Sequence, residues 1–194
     1  MGAINSMNHI CDTYFKENER QFLERYHEEA ILAGGAVRDR ILGKPSHDFD
    51  FYIQNKKGLE TELKRLGFRH ARSQLESGTL IPLPFKTNGK VTHIYDDPNI
   101  VGVYKSGKFD VIVTKTDPVE HVDNFSINLS KCYSRVDSVG NILTTVECEG
   151  FREDVDNKKI TVDLTSHLNP NFFRAYLPKI MYKFSDYRVS LENV

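Results

Sequence analysis

The chain has 194 residues, 39% hydrophobic and 27% charged, with 26 basic residues against 27 acidic ones and a formal net charge of −1. Such a length can bury roughly 70% of the surface its unfolded chain exposes, so the composition argues against disorder and for a single domain with a real core. The charge balance excludes a general attraction to nucleic acid through the whole-protein field, though not a local basic patch, and no apolar run reaches the roughly 20 residues that span a bilayer.

Residues 4–29 read as a helix, with Phe15, Phe22, Leu23 and Tyr26 as its apolar stripe. Ala30 to Ala33 reads as the end of a buried strand that meets the tight turn Gly34-Gly35. Ala36 to Leu42 reads as a short helix closed by Gly43 and Pro45, and Phe49 to Ile53 as a strand. Gly58 to Leu66 is helical in pattern, with Gly67 as its stop. The middle of the chain is rich in strand signals. Val91 to Tyr95, the turn Asp96-Asp97-Pro98-Asn99 and Ile100 to Tyr104 suggest a hairpin or meander, and Phe109 to Val113 reads as a further strand after Ser106-Gly107. Lys131 to Val136 and Ile142 to Val146 flank Ser138 to Asn141 as a second hairpin, and Ile160 to Leu164 reads as a last strand. Phe172 to Tyr187 is helical, with Phe173, Leu177, Ile180, Met181 and Phe184 on one side, and Pro178 is expected to kink or divide it. The order predicts a mixed α/β or α+β domain. Its division is an N-terminal helix over 1–29, a core over 30–165 and a helical appendage over 166–194.

Cys11, Cys132 and Cys148 show no paired or metal-type spacing, which fits a reducing compartment. The N-terminus lacks a basic start followed by an apolar stretch, so a secretory signal is not expected; Met1-Gly2 with Ser6 makes only a short myristoylation-like pattern. The location expected is cytoplasmic, with no membrane partner. The seven histidines form no helical ligand pair, so zinc is not expected.

The segment Ile31 to Ile53 carries the chemistry. Glycines between a strand and a helix permit unusual dihedrals and close approach of a ligand, and the helix start offers free N–H groups to an anion. Asp48 and Asp50 stand two apart on a strand, which sets both carboxylates on one face and Phe49 and Phe51 on the other. Two adjacent carboxylates repel unless a cation sits between them, and oxygen ligands beside phosphates favour Mg²⁺. Taken singly, a double glycine is usually a turn, an Asp-x-Asp a solvated strand, and Arg38-Asp39 a surface pair. Their order along the chain is what points to phosphoryl or nucleotidyl transfer.

This segment resembles the signature of the DNA polymerase beta nucleotidyltransferase superfamily, and within it the head domain of tRNA nucleotidyltransferase and bacterial poly(A) polymerase. The pattern Gly-Gly-x-Val-Arg-Asp-x-Leu-Leu-Gly followed by Asp-x-Asp is matched by Gly34, Gly35, Val37, Arg38, Asp39, Leu42, Gly43, Asp48 and Asp50, with Ile41 in place of the first leucine. The resemblance implies a nucleotidyltransferase fold, a mixed sheet flanked by helices. It implies that Gly34 and Gly35 contact the triphosphate, that Arg38 and Asp39 brace the nucleotide-binding loop, and that Asp48 and Asp50 hold two Mg²⁺ ions. A third carboxylate on a neighbouring strand is implied too; Asp110 is the candidate and Asp163 its weaker competitor. A fainter resemblance covers Phe125, Ser126, Ile127 and Asn128, which adds Asn128 to the nucleotide-binding set. There Asp123 and Asn124 replace an arginine and an aspartate that handle ribose and triphosphate in the family.

The activity expected is transfer of a nucleoside monophosphate from a nucleoside triphosphate, ATP or CTP, to an acceptor hydroxyl at an RNA or tRNA 3′ end. Modification of a protein or small molecule, and a non-catalytic nucleotide-binding role, stay open beside it. No counterpart of the family's base-pairing helical motifs is visible, and Phe173 to Tyr187 reads as a core helix. Lys64, Arg65, Arg69 and Arg72, then Lys86, Lys90, Lys105 and Lys108, could line a path for phosphates, and Tyr95 or Tyr104 could stack on a base; each is individually better explained as a solvated or packing residue. The oligomeric state is not legible.

Overall fold

The computed structural model describes residues 10, 15–46, 48–73, 97, 99–164 and 170–192. The expected strand at Val91 to Tyr95 lies outside them, as do Lys86, Lys90 and most of the residues before Phe15. The first described helix, α1 (Glu17–Tyr26), is shorter than the sequence pattern suggests. Lys16 is extended, and its backbone N–H donates to Glu19 Oε2 at 2.9 Å, which closes the helix start. Phe22 and Leu23 are fully buried, and Glu19 accepts from Ser106 Oγ at 2.9 Å.

Strand β1 (Ile31–Ala33) leads into α2 (Gly35–Ile41), then β2 (Phe49–Gln54) and α3 (Leu59–Arg65). Strand β3 (Arg69–Ser73) was not foreseen. It pairs antiparallel with β4 (Ile100–Ser106), which pairs antiparallel with β5 (Phe109–Thr114). After α4 (Pro118–Asp123) come β6 (Cys132–Val136) and β7 (Ile142–Glu147), the hairpin expected around Gly140. Among the described residues the main sheet has seven strands in the order β3-β4-β5-β2-β1-β6-β7. The β2–β5 pair is parallel, and every other pair in this sheet is antiparallel. The mixed sheet expected from the element order is what forms.

Alternation along β2 and β5 divides their side chains between two layers. Phe51, Val111 and Val113 face α1, α2 and α3, and Phe51 stacks on Phe109 with centroids 4.5 Å apart. Tyr52 and Ile112 face the opposite layer, where Val122 of α4 packs. Asp50 and Asp110 share that second face by the same alternation.

The C-terminal part is a smaller unit. Helix α5 (Phe151–Asp156) precedes β8 (Lys159–Asp163), which pairs in parallel with β9 (Arg188–Glu192) across α6 (Pro170–Lys183). Helix α6 runs as one element through Pro178, so the expected division of this helix is absent. Ile180 and Phe184 on its buried face pack with Ile160 and Val162 of β8 and with Ile127 and Leu129.

Candidate active site

Gly34 takes φ +70°, ψ −128°, a conformation that favours glycine, and its N–H donates to the Cys132 carbonyl at 3.0 Å. The turn is thereby tied to β6, and the Phe125 ring lies under it: a Cβ on Gly34 would meet Phe125 Cε2 at 3.7 Å. Gly35 begins α2 beside the Arg38 guanidinium.

Asp50 and Asp110 are direct neighbours across the parallel β2–β5 pair, and Ala33, next to the glycines, is paired with Asp50 on the other side. Asp48 is exposed just ahead of β2, while Asp110 is buried. All three carboxylates and both glycines line one cavity of about 290 Å³. Burial, then the negative charges of Asp110 and Asp48, push the Asp50 carboxyl up to about 7 against the counter-effect of Lys105. Asp110 is also raised, chiefly by burial, although it accepts a hydrogen bond from the Lys105 ammonium. The cavity thus places Asp50 and Asp110 side by side, with Lys105 against Asp110 as their nearest positive charge.

Arg38 and Asp39 stand behind the glycine turn rather than in the cavity lining. Both are buried; Arg38 Nε and Nη2 each donate to Asp39 Oδ1 at 3.0 Å, and the Lys183 ammonium of α6 pairs with the other oxygen. Arg38 also lies over the Phe184 ring at 5.1 Å and meets Tyr176. The pair thus joins the catalytic-side helix α2 to α6.

Asn128 begins a short 3-10 turn, Asn128–Ser130; its side chain packs against Gly150 and is not among those that line the cavity, although Ile127 and Ser130 beside it are. Gly150 has φ +81°, and a Cβ there would meet Asn128 Nδ2 at 2.4 Å. Asp163 sits in β8, where its N–H donates to the Ser126 carbonyl at 2.8 Å, and it does not line the cavity. Asp123 and Asn124 are exposed at the end of α4, also outside it.

The structure adds Tyr52, His121, Tyr176 and Lys179, which sequence reasoning missed, and gives Phe125 a place in the cavity beyond its part in the fainter resemblance. Tyr52, His121 and Phe125 form an aromatic floor, with centroids 5.5 Å apart for Tyr52–His121 and 5.6 Å for His121–Phe125. Burial lowers the His121 pKa, opposed by Asp97 at 3.9 Å. Tyr52 was legible by alternation, since it follows Asp50 by two on one strand face. His121 carries no sequence signal. Tyr176 and Lys179 reach the cavity from α6 across about 140 residues of sequence, which no local pattern announces.

This architecture is the nucleotidyltransferase fold, a mixed sheet flanked by helices. It is shared with the crystal structure of the Bacillus stearothermophilus CCA-adding enzyme in complex with CTP, at a TM-score of 0.50 and 16% identity over 91% of this chain and 42% of that one. The Thermotoga maritima CCA-adding enzyme complexed with tRNA also has a TM-score of 0.50, with 16% identity, 91% of this chain and 39% of that one. Residues 30–93 match the family model described as the poly A polymerase head domain. A CCA-adding enzyme of Lacticaseibacillus paracasei is 41% identical over 64 residues, 33% of this chain and 15% of that enzyme. The chain therefore resembles the head region of these enzymes and spans well under half the length of each. Among the described residues no helix is long and apolar enough to cross a membrane.

Proposed function

We propose that this chain is a Mg²⁺-dependent nucleotidyltransferase that moves a nucleoside monophosphate from ATP or CTP to the 3′ hydroxyl of an RNA, with tRNA as the acceptor class. The observation that carries this reading is the register of Asp50 against Asp110 beside the Gly34-Gly35 turn, with Asp48 two residues away. The relatives support the choice of substrates, since the solved ones carry CTP and tRNA by their descriptions.

The donor set suits Mg²⁺, for it consists of carboxylate oxygens next to a backbone turn suited to phosphate. The Asp50 carboxyl is raised first by burial and then by the charges of Asp110 and Asp48, and a cation among them would favour its ionised form. Among the described residues no three acidic, histidine or cysteine side chains are already gathered as a ready ligand set, and Asp110 is engaged by Lys105. Binding of two Mg²⁺ ions by Asp48, Asp50 and Asp110 thus entails exchange of the Lys105 contact. When bound, the ions would neutralise charge on the phosphates and on the attacking and leaving oxygens.

The protein's own groups then have these tasks. The backbone at Gly34 and Gly35 cradles the triphosphate, and Arg38 with Asp39 holds that turn on α6 rather than touching the nucleotide. Asn128 acts through its packing on Gly150, supporting the end of the nucleotide site. The acceptor oxygen bonds to the α-phosphorus as the bond to the α–β bridging oxygen breaks. Pyrophosphate leaves with the electron pair, and the hydroxyl proton passes to a carboxylate, Asp110 by position. We also read the chain as one domain whose C-terminal helix completes the cavity.

The test is label transfer from each α-labelled nucleoside triphosphate with Mg²⁺, into total RNA, into protein extract and with no acceptor. Label on RNA that disappears in Asp48→Ala/Asp50→Ala is the expected result. Label on protein would instead assign the chain to protein modification. A folded protein that transfers no label would leave a nucleotide-binding role.

A further inference from the structure

We propose that Lys179 binds the anionic oxygens of the polyphosphate in this cavity, making α6 part of the site. The proposal rests on the nucleotidyltransferase reading for its ligand and on the charge pattern of the cavity for its residue. The charged side chains in the lining are Asp48, Asp50, Asp97 and Asp110 against Lys105 and Lys179. Lys105 is engaged by Asp110, and burial favours neutral His121. Lys179 is exposed and, among the described residues, has no ion pair or hydrogen bond. Among the described lining residues, Lys179 is a cation that a ligand can meet without displacing a protein ion pair.

Its position is determined by anchors elsewhere on the same helix. Tyr176, Lys179 and Lys183 follow at three and four residues, so they share one face of α6. Lys183 is held by Asp39, its carbonyl accepts from Lys44 Nζ at 3.0 Å, and Tyr176 Oη lies 3.4 Å from Ser130 Oγ. Ile180, and Phe184 just past the helix end, are 2% and 1% exposed on the neighbouring stripe and pack in one cluster with Tyr176. A helix pinned at both ends of this stretch keeps the Lys179 backbone beside the cavity that its side chain lines. The resemblance would place an arginine at Asp123, which is exposed and outside the cavity.

The probe is inorganic tripolyphosphate, titrated calorimetrically into the full chain with Mg²⁺ present. A charge-assisted contact of this kind predicts about tenfold weaker binding in Lys179→Ala and recovery of most of it in Lys179→Arg. Lys179→Ala binding as tightly as wild type overturns the proposal. So does weak binding in both variants, because a loss that charge does not rescue is structural. No binding by the wild type overturns it as well. Binding that depends on Lys179 but not on Mg²⁺ or on Asp50→Asn would uphold the phosphate site and sink the nucleotidyltransferase reading.

Discussion

The two sheets of this molecule are built on different terms. In the main sheet β5 is buried along its whole length, and β2 is covered on both faces except at Asp50 and its final residue. In the smaller sheet β8 is buried, whereas β9 exposes Leu191 at 62% and α6 exposes Tyr182 at 90%. The first unit can carry uncompensated carboxylates because aromatic packing on the opposite face holds the strands. The second unit has one apolar face, and its link to α2 is the Arg38–Asp39–Lys183 cluster with Phe184 beneath it. The C-terminal unit thus has its own small apolar core, and the buried polar cluster adds the tie to α2.

Four experiments break or sharpen that contrast, in falling order of effect. Phe51→Ala removes a ring with no exposure that stacks on Phe109 and meets Phe22 at 5.9 Å, and should cost about 3–5 kcal/mol in urea unfolding. A loss below about 1 kcal/mol would show that the main sheet does not depend on this layer.

Asp39→Ala strands a buried guanidinium and frees Lys183, with an expected cost of about 3 kcal/mol. Amide exchange should quicken in α6 and β9 while β2 and β5 stay protected. Equal loss of protection in both sheets would mean that the units are not separable.

Asp50→Asn tests the charge that the main sheet tolerates. The folded carboxyl titrates near 7 and the unfolded one near 3.8, so its burden on the fold is absent well below pH 3.8, grows through the window between the two values, and is complete above 7. The variant should be more stable than wild type by on the order of 2 kcal/mol at pH 8, with most of the gain gone near pH 4. Saturating Mg²⁺ should stabilise wild type and leave the variant unmoved, as thermal melts at both pH values would show. A gain that does not change with pH would refute the titration of Asp50 as its source.

Lys56→Ala serves as the baseline. Lys56 pairs with Glu29 where both side chains are more than two-fifths exposed, and its loss should stay within about 0.5 kcal/mol. A larger effect would point to its placement over the Tyr26 ring at 4.9 Å.

Much of the main sheet was legible because its signals are local. The expected strands at Phe49 and Phe109 and the helix after the glycines form within a residue or so of their predicted bounds. The strand β3 was hidden because Arg69, His70 and Arg72 read as a basic run, and pairing with β4 overrides that composition. Continuity of α6 through Pro178 was equally hidden, since Ile180 and Phe184 are locked into the core on its far side.

By itself the sequence determined that Asp50 shares a strand face with Tyr52 and Asp110 with Ile112, since the two-residue period of a strand is a property of the backbone, whereas Asp48 lies just ahead of the strand. It also determined where the glycine turn precedes a helix. Only the tertiary structure decided that Asp110 rather than Asp163 stands beside Asp50, because strand order is settled by packing of whole layers. It likewise decided that Arg38 and Asp39 face α6, that Asn128 packs on Gly150, and that Tyr176 and Lys179 join the cavity. Those contacts join residues far apart in the chain, and no spacing rule encodes a meeting that depends on the whole fold.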